Sequence, residues 1–145
     1  MFKHILIPID DDAGSRRAIE QGVALAEAVG ARVTGFHAMT EFNHPGIVDE
    51  LLEPPSDELQ LMARTHADKL FALLVREAGR AGVACDTFAE RGEYPWKAIV
   101  AAAAKVRCDL IVMASHGRRG IARLVLGSQT QEVLNHAGIS LLVVR

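Results

Sequence analysis

The 145-residue chain is predicted to be an α/β protein built on a five-stranded parallel sheet with helices on both faces. Three observations lead there. Strand-like runs alternate with amphipathic stretches along the chain, and that alternation implies a parallel sheet with right-handed crossovers. The runs Ile5-Leu6-Ile7 and Leu110-Ile111-Val112-Met113-Ala114 are nearly unbroken apolar, as strands buried on both faces must be. Finally, five such strands admit the order 3-2-1-4-5, with a switch point between strands one and four, outside whose C-terminal tips ligands of such sheets bind. The expected architecture is therefore a single-domain, doubly wound (Rossmann-like) sheet spanning 1–145.

In chain order, Lys3 to Pro8 reads as strand one and ends in the abruptly acidic Asp10-Asp11-Asp12. A helix follows from Gly14-Ser15, with Ala18, Ile19, Gly22, Val23 and Ala26 on its apolar face and Gly30 as its stop. Ala31 to Met39 is strand two, marked by Val33, Thr34 and Phe36. From Thr40 to Pro55 periodicity disappears, and Asn43-His44-Pro45-Gly46 and Pro54-Pro55 mark a loop. A loop this long in a compact domain is more often functional than purely structural.

The next helix starts at Ser56 or Asp57, and Leu59, Met62, His66, Leu70, Leu73 and Leu74 form its expected buried stripe. Val83 to Glu90 is strand three. Arg91 to Pro95 turns into a helix through Lys105, with Trp96, Ile99, Val100 and Ala103 facing inward. Leu110 to Ala114 is strand four. A last helix runs from Gly127-Ser128 to about Ala137, and Ile139 to Val144 is strand five, an apolar edge that natural sheets seldom leave unpaired.

Composition narrows the function. Half the residues are hydrophobic, 23% are charged and the net charge is −2, which argues against a nucleic-acid binder driven by phosphate neutralisation. A chain of this length buries roughly 70% of its unfolded surface. No apolar run reaches the length of a membrane span and the N-terminus is too soon polar for a signal peptide, so the expectation is a cytoplasmic protein that meets no membrane. Cys85 and Cys108 fall on strands three spacings apart, about 14 Å, beyond disulfide reach, and are expected to be buried free thiols. The six histidines show no zinc-ligand spacing.

Two small-residue turns carry the chemistry. Ser115-His116-Gly117 follows strand four, and Gly127-Ser128 precedes the last helix. Free N–H groups at a helix N-terminus, equivalent to about +0.5 charge, suit an anion, and turn amides can add a second concavity. Ser128 and Gln131 also stand in capping-box spacing, so Ser128 could equally cap its own helix with nothing bound. Topology puts these turns beside Pro8-Ile9-Asp10 at the tip of strand one.

The stretch Ala114-x2-Gly117-x9-Gly127-Ser128 resembles the nucleotide loop of the universal stress protein family, G-x2-G-x9-G-[S/T], with alanine in place of the first glycine. That methyl group is tolerable where φ is negative and costly where it is positive. The resemblance covers the whole chain and implies the same fold, ATP as cofactor and a role in stress response by binding and signalling. It implies a nucleoside held at Pro8, Ile9 and Asp10, with the Asp10 carboxylate on a ribose hydroxyl, where helix capping or solvation is the alternative; Asp11 and Asp12 are expected to be solvated.

The same likeness implies adenine against Ala38, phosphates against Ser115, His116, Gly117, Gly127, Ser128, Gln129 and Thr130, and nucleotide contact at Met113 and Ala114 as well, with Arg118, Arg119 and Arg123 adding positive potential or forming a solvated face. Mg²⁺ or Mn²⁺ would be held chiefly by phosphate oxygens, without a dedicated protein ligand set. The likeness also implies a homodimer through Ile139–Val144. No P-loop, dinucleotide glycine turn or catalytic triad is present, so no catalytic residue is assigned. A non-nucleotide-binding dimeric stress module is the alternative. A phospho-accepting receiver domain shares the layout but needs an aspartate at the third strand tip, where this chain reads Ala89-Glu90-Arg91.

Overall fold

In the computed structural model, which describes residues 1–40, 56–115 and 126–145, strands and helices alternate throughout. They are β1 (His4–Pro8), α1 (Ala13–Val29), β2 (Arg32–Thr40), α2 (Asp57–Arg80), β3 (Cys85–Gly92), α3 (Pro95–Val106), β4 (Leu110–Ala114), α4 (Ser128–His136) and β5 (Ser140–Val144). All strand pairs are parallel and the order is β3-β2-β1-β4-β5, as the alternation and length of the runs predict. Most of the span expected to be a loop, 41–55, lies outside the described residues, while Thr40 closes β2.

The central strands divide their side chains between two cores. Ile5, Ile7, Leu110 and Val112 face α1 and α2; Leu6, Ile111 and Met113 face α3 and α4. Adjacent residues thus enter opposite cores, which is why these strands read as unbroken apolar runs. Ile5, Leu6 and Ile7 are completely buried, each stabilising by about 1.5–3 kcal/mol, so β1 is the spine of the fold. The helices lie close to the sheet because small residues permit it. A Cβ on Gly35 would sit 2.5 Å from Leu74 Cδ2, and one on Gly22 2.6 Å from Ile7 Cδ1.

The apolar face of α1 is as expected, with Ala18, Ile19, Gly22, Val23 and Ala26 all buried, and Gly30 ends the helix at φ +70°. That of α2 is not. Leu59, Met62 and His66 are exposed, and the buried stripe is Ala67, Phe71, Leu74 and Ala78, flanked by half-buried Leu70 and Leu73. The stripe keeps the helical period but begins later along the helix, and Phe71 and Leu74 in it pack over Gly35 of β2, where a side chain on β2 would collide with them. In α3 the buried residues are Ile99, Ala102 and Ala103, while Trp96 and Val100 are only partly covered. β3 begins at Cys85, two residues later than expected, and runs to Gly92 because it stays paired with β2 through Thr40↔Gly92.

The thiols differ from expectation as well. Both are free, but Cys85 is only half-buried, whereas Cys108 is 6% exposed and burial pushes its pKa up to about 11. At this N-terminal end of the strands, the Asp109 carboxylate accepts from the backbone N–H groups of Lys3 (2.9 Å) and His4 (3.0 Å), tying β1 to β4. Desolvation pulls Asp109 upward, but those two donors outweigh it and hold its pKa below the usual value. The His4 imidazole lies 2.7 Å from Thr34 Oγ1, and burial, with Arg32 nearby, lowers its pKa. Among the described residues no helix is long and apolar enough to cross a membrane.

Candidate functional site

At the opposite end of the sheet, β1 stops before its neighbour does. Its register with β2 ends at Pro8↔Phe36, and the last rung is the Ile9 N–H donating to the Phe36 carbonyl at 2.7 Å. Past that point β2 is paired on one side only, with β3. In a parallel ladder the N–H and C=O of one residue point to the same side, and successive residues alternate sides. Val33 N–H donates toward β3, to Ala84, while the Phe36 carbonyl accepts from β1. By that alternation the N–H and C=O of Ala38 point to the β1 side, into the gap that β1 has vacated.

The chain leaving β1 folds back on itself. Asp10 N–H donates to Ser15 Oγ (2.8 Å), Asp11 N–H donates to Asp10 Oδ1 (2.8 Å), and Asp12 Oδ1 accepts from Ser15 N–H (2.6 Å). Asp12 is therefore the N-cap of α1, not the solvated residue expected from sequence. Asp10 stays at the crevice lip, exposed.

Across the gap, the end of β4 is tied both to β5 and to the start of α4. Ser115 N–H donates to Val144 C=O (2.8 Å), Gly127 N–H donates to Ser115 C=O (2.6 Å), and Thr130 Oγ1 donates to Ala114 C=O (2.9 Å). The N-cap of α4 is Gly127, and no side chain caps the helix, so of the two readings of Ser128 the one in which it caps its own helix does not hold. Ser128 is instead the first helical residue and is exposed. The N–H groups of Ser128, Gln129 and Thr130 have no carbonyl four residues back within the helix. Gln129 turns its side chain to α3, where Oε1 accepts from Trp96 N–H at 2.9 Å. That contact covers a helix start which Tyr94 does not cap and where Pro95 takes the first turn.

Between these elements lies a crevice of about 400 Å³, within the range of small-molecule sites. Ten of the residues picked from the sequence line it: Pro8, Ile9, Asp10, Ala38, Met113, Ala114, Gly127, Ser128, Gln129 and Thr130. Ser115 is buried beneath it, tied to β5 and to the start of α4. His116 and Gly117, with Arg118, Arg119 and Arg123, lie outside the described residues. Ala114 sits in regular β4 pairing with Val144, and the one non-glycine residue with positive φ among those described is Arg107. Its methyl group therefore causes no backbone strain.

The sequence reading missed Asp12, Ser15, Phe36, His37, Pro95 and Ile99 as lining residues. Phe36 could have been found, since it lies two positions before Ala38 on the same face of β2. Pro95 and Ile99 stand four apart on one face of α3, a spacing that said core rather than cavity wall. Phe36, Pro95, Ile99 and Met113 make an apolar cleft, Asp10 brings a carboxylate, and α4 brings its N-terminus. Such a site can take a flat apolar ring, a polar hydroxylated link and an anion in one molecule. Among the described residues no group of three His, Cys, Asp or Glu side chains is placed to hold a metal.

Comparison with known proteins bears on this arrangement. A family model described as the universal stress protein family matches residues 1–145. The chain is 34% identical over 145 residues to a Thermus aquaticus protein named as a universal stress protein in the QAH/OAS sulfhydrylase 3′ region, with all of both chains covered. Among solved structures it is similar to the hypothetical protein MJ0577, with TM-score 0.82, 26% identity and coverage of 99% of this chain and 96% of that one. Two further structures share the fold at lower identity. One is a universal stress protein in complex with cAMP, with TM-score 0.67, 20% identity and coverage of 99% and 97%. The other is an Arabidopsis thaliana family member with AMP bound, with TM-score 0.67, 15% identity and coverage of 98% and 90%.

Proposed function

Because the chain belongs to the universal stress protein family, we propose that it binds an adenine nucleotide, ATP, in the crevice between the β1 and β4 tips, and acts in stress response by nucleotide-dependent binding rather than fast turnover. The observation that carries this reading is the pairing of two features across one crevice. The α4 N-terminus is left without a side-chain cap, and the Ala38 N–H and C=O are turned into the gap opposite.

The lining suits each part of the ligand. Phe36, Pro95, Ile99 and Met113 would sandwich the base, with the Ala38 amide edge giving a donor beside an acceptor. The Asp10 carboxylate would accept from ribose hydroxyls. The first-turn amides of α4 and Ser128 would hold phosphate, favoured by the helix dipole. A divalent ion, Mg²⁺ or Mn²⁺, would ride on the phosphate oxygens. Two proteins of the same fold hold AMP and cAMP, so the fold accommodates adenine nucleotides; at 20% identity or less they say nothing residue by residue. Thermal melting with excess Mg-ATP tests the reading. Saturation at about 100 times Kd adds roughly 2.7 kcal/mol, a rise of about 5–10 °C. An unchanged melting temperature at millimolar ATP would leave the alternative, a dimeric module without nucleotide.

Dimerisation through Ile139–Val144 is part of either reading. Its support is β5, an edge strand among the described residues that exposes 40% of Leu142. Leu142→Lys is expected to convert a dimer to monomer in sedimentation, and an unaltered dimer would point to another surface.

A further inference from the structure

We propose that His37 is a positioning residue that ends the β1–β2 ladder one rung early and so keeps the Ala38 amide edge open to read the base; the inference rests on the nucleotide reading above. His37 is 9% exposed and lines the crevice. Its Nδ1 lies 2.8 Å from the Ile9 carbonyl oxygen. A carbonyl can only accept, so Nδ1 carries the hydrogen and donates.

The identity of that carbonyl is what matters. The ladder's last rung is Ile9 N–H to Phe36 C=O. One rung further, the parallel pattern would have Ala38 N–H donate to Ile9 C=O. The imidazole takes that acceptor instead, reaching it from its own side of β2. Meanwhile Asp10 N–H donates to Ser15 Oγ, which draws the chain away toward α1. A side chain thus satisfies the end of β1 while the main chain of β2 is left facing the gap. Buried carbonyls are costly to leave unpaired, so without His37 the Ala38 N–H is the nearest replacement donor, and closing that bond narrows the gap.

The consequence is selectivity. An N–H beside a C=O matches adenine, whose N1 accepts and whose 6-amino group donates. A hypoxanthine ring offers the reverse, a donating N1–H and an accepting O6. Holding the Ala38 edge open therefore favours adenine over its deaminated analogue.

The test compares ATP with inosine triphosphate on three proteins by calorimetry, with melting temperature in parallel. Wild type is expected to prefer ATP by about tenfold, roughly one good hydrogen bond. His37→Phe is expected to lose that preference through weaker ATP binding alone. His37→Asn, whose amide nitrogen is as many bonds from the backbone as Nδ1, is expected to restore it. Should His37→Phe fail to fold, nitrogen-15 spectra of wild type serve, with the Ala38 amide expected to shift on adding ATP and not the inosine analogue. A His37→Phe protein that keeps the preference, or weakens toward both nucleotides equally, overturns the proposal while leaving nucleotide binding intact. Wild type that binds neither nucleotide overturns the underlying reading as well.

Discussion

Two helices start at the same end of this sheet, each entered from a strand tip, and they end up as opposites. At α1 the Asp12 carboxylate accepts from Ser15 N–H, and Ser15 Oγ in turn accepts from Asp10 N–H. The start of that helix is closed by its own chain. At α4 the N-cap is Gly127, which has no side chain, and Ser128 is one position too late to cap. The local sequences suggest the reverse, since Ser128 has capping-box spacing and Asp12 stands in an acidic run that reads as solvated. The difference teaches that a helix N-terminus stays open by what its sequence omits. A cap and a phosphate compete for the same few N–H groups.

That contrast can be broken deliberately. Gly127→Asp would give α4 the carboxylate that α1 has, at a residue whose φ of −57° any side chain tolerates. ATP affinity measured by calorimetry is expected to fall about a hundredfold or more, since a carboxylate and a phosphate a few ångströms apart repel by a few kcal/mol near a protein surface. Stability should rise by only a few tenths of a kcal/mol. A Gly127→Asp variant that binds ATP normally would mean the anion sits elsewhere.

The complementary change, Asp12→Ala, opens α1. It is expected to lower urea-unfolding stability by about 1 kcal/mol, the usual worth of an N-cap, and a drop of a tenth of that would show Asp12 dispensable. The smallest effect belongs to the far end of the sheet, which neither variant touches. His4 is held below its ordinary pKa of 6.5 by burial and by Arg32, so the folded state prefers the neutral ring. The stability this gives is present above pH 6.5 and is lost as pH falls from there through the depressed value. His4→Gln should flatten the pH dependence of the melting temperature in that window, and an unaltered slope would place its source elsewhere.

How much of this was legible depends on the range of the interaction that decides each feature. The sheet order and β1, β4 and the apolar face of α1 were readable because residues such as Ile5-Leu6-Ile7 go inside whatever their neighbours are. The α2 stripe was misread because leucine and methionine look like core and alanine does not. The sheet reaches only part of this long helix: Phe71 and Leu74 pack over Gly35, Ala67 and Ala78 share their face, and Leu59 and Met62 in the first two turns stay exposed. Ten lining residues of the crevice were found because they cluster at two strand tips and one helix start. His37 was missed because its partner, the Ile9 carbonyl, lies 28 residues away and belongs to the main chain.

Sequence alone thus determined the elements, their parallel order and the end of the sheet where the crevice lies, since hydrophobic period and strand–helix alternation are local and burial follows from them. Tertiary structure decided which helix start stays open, which side chain closes β1, and that Ala114 lies in unstrained strand backbone. Those outcomes depend on hydrogen bonds between segments far apart in the chain. Their donors and acceptors are mostly backbone groups that every residue carries, so nothing in the sequence marks them until the fold brings them together.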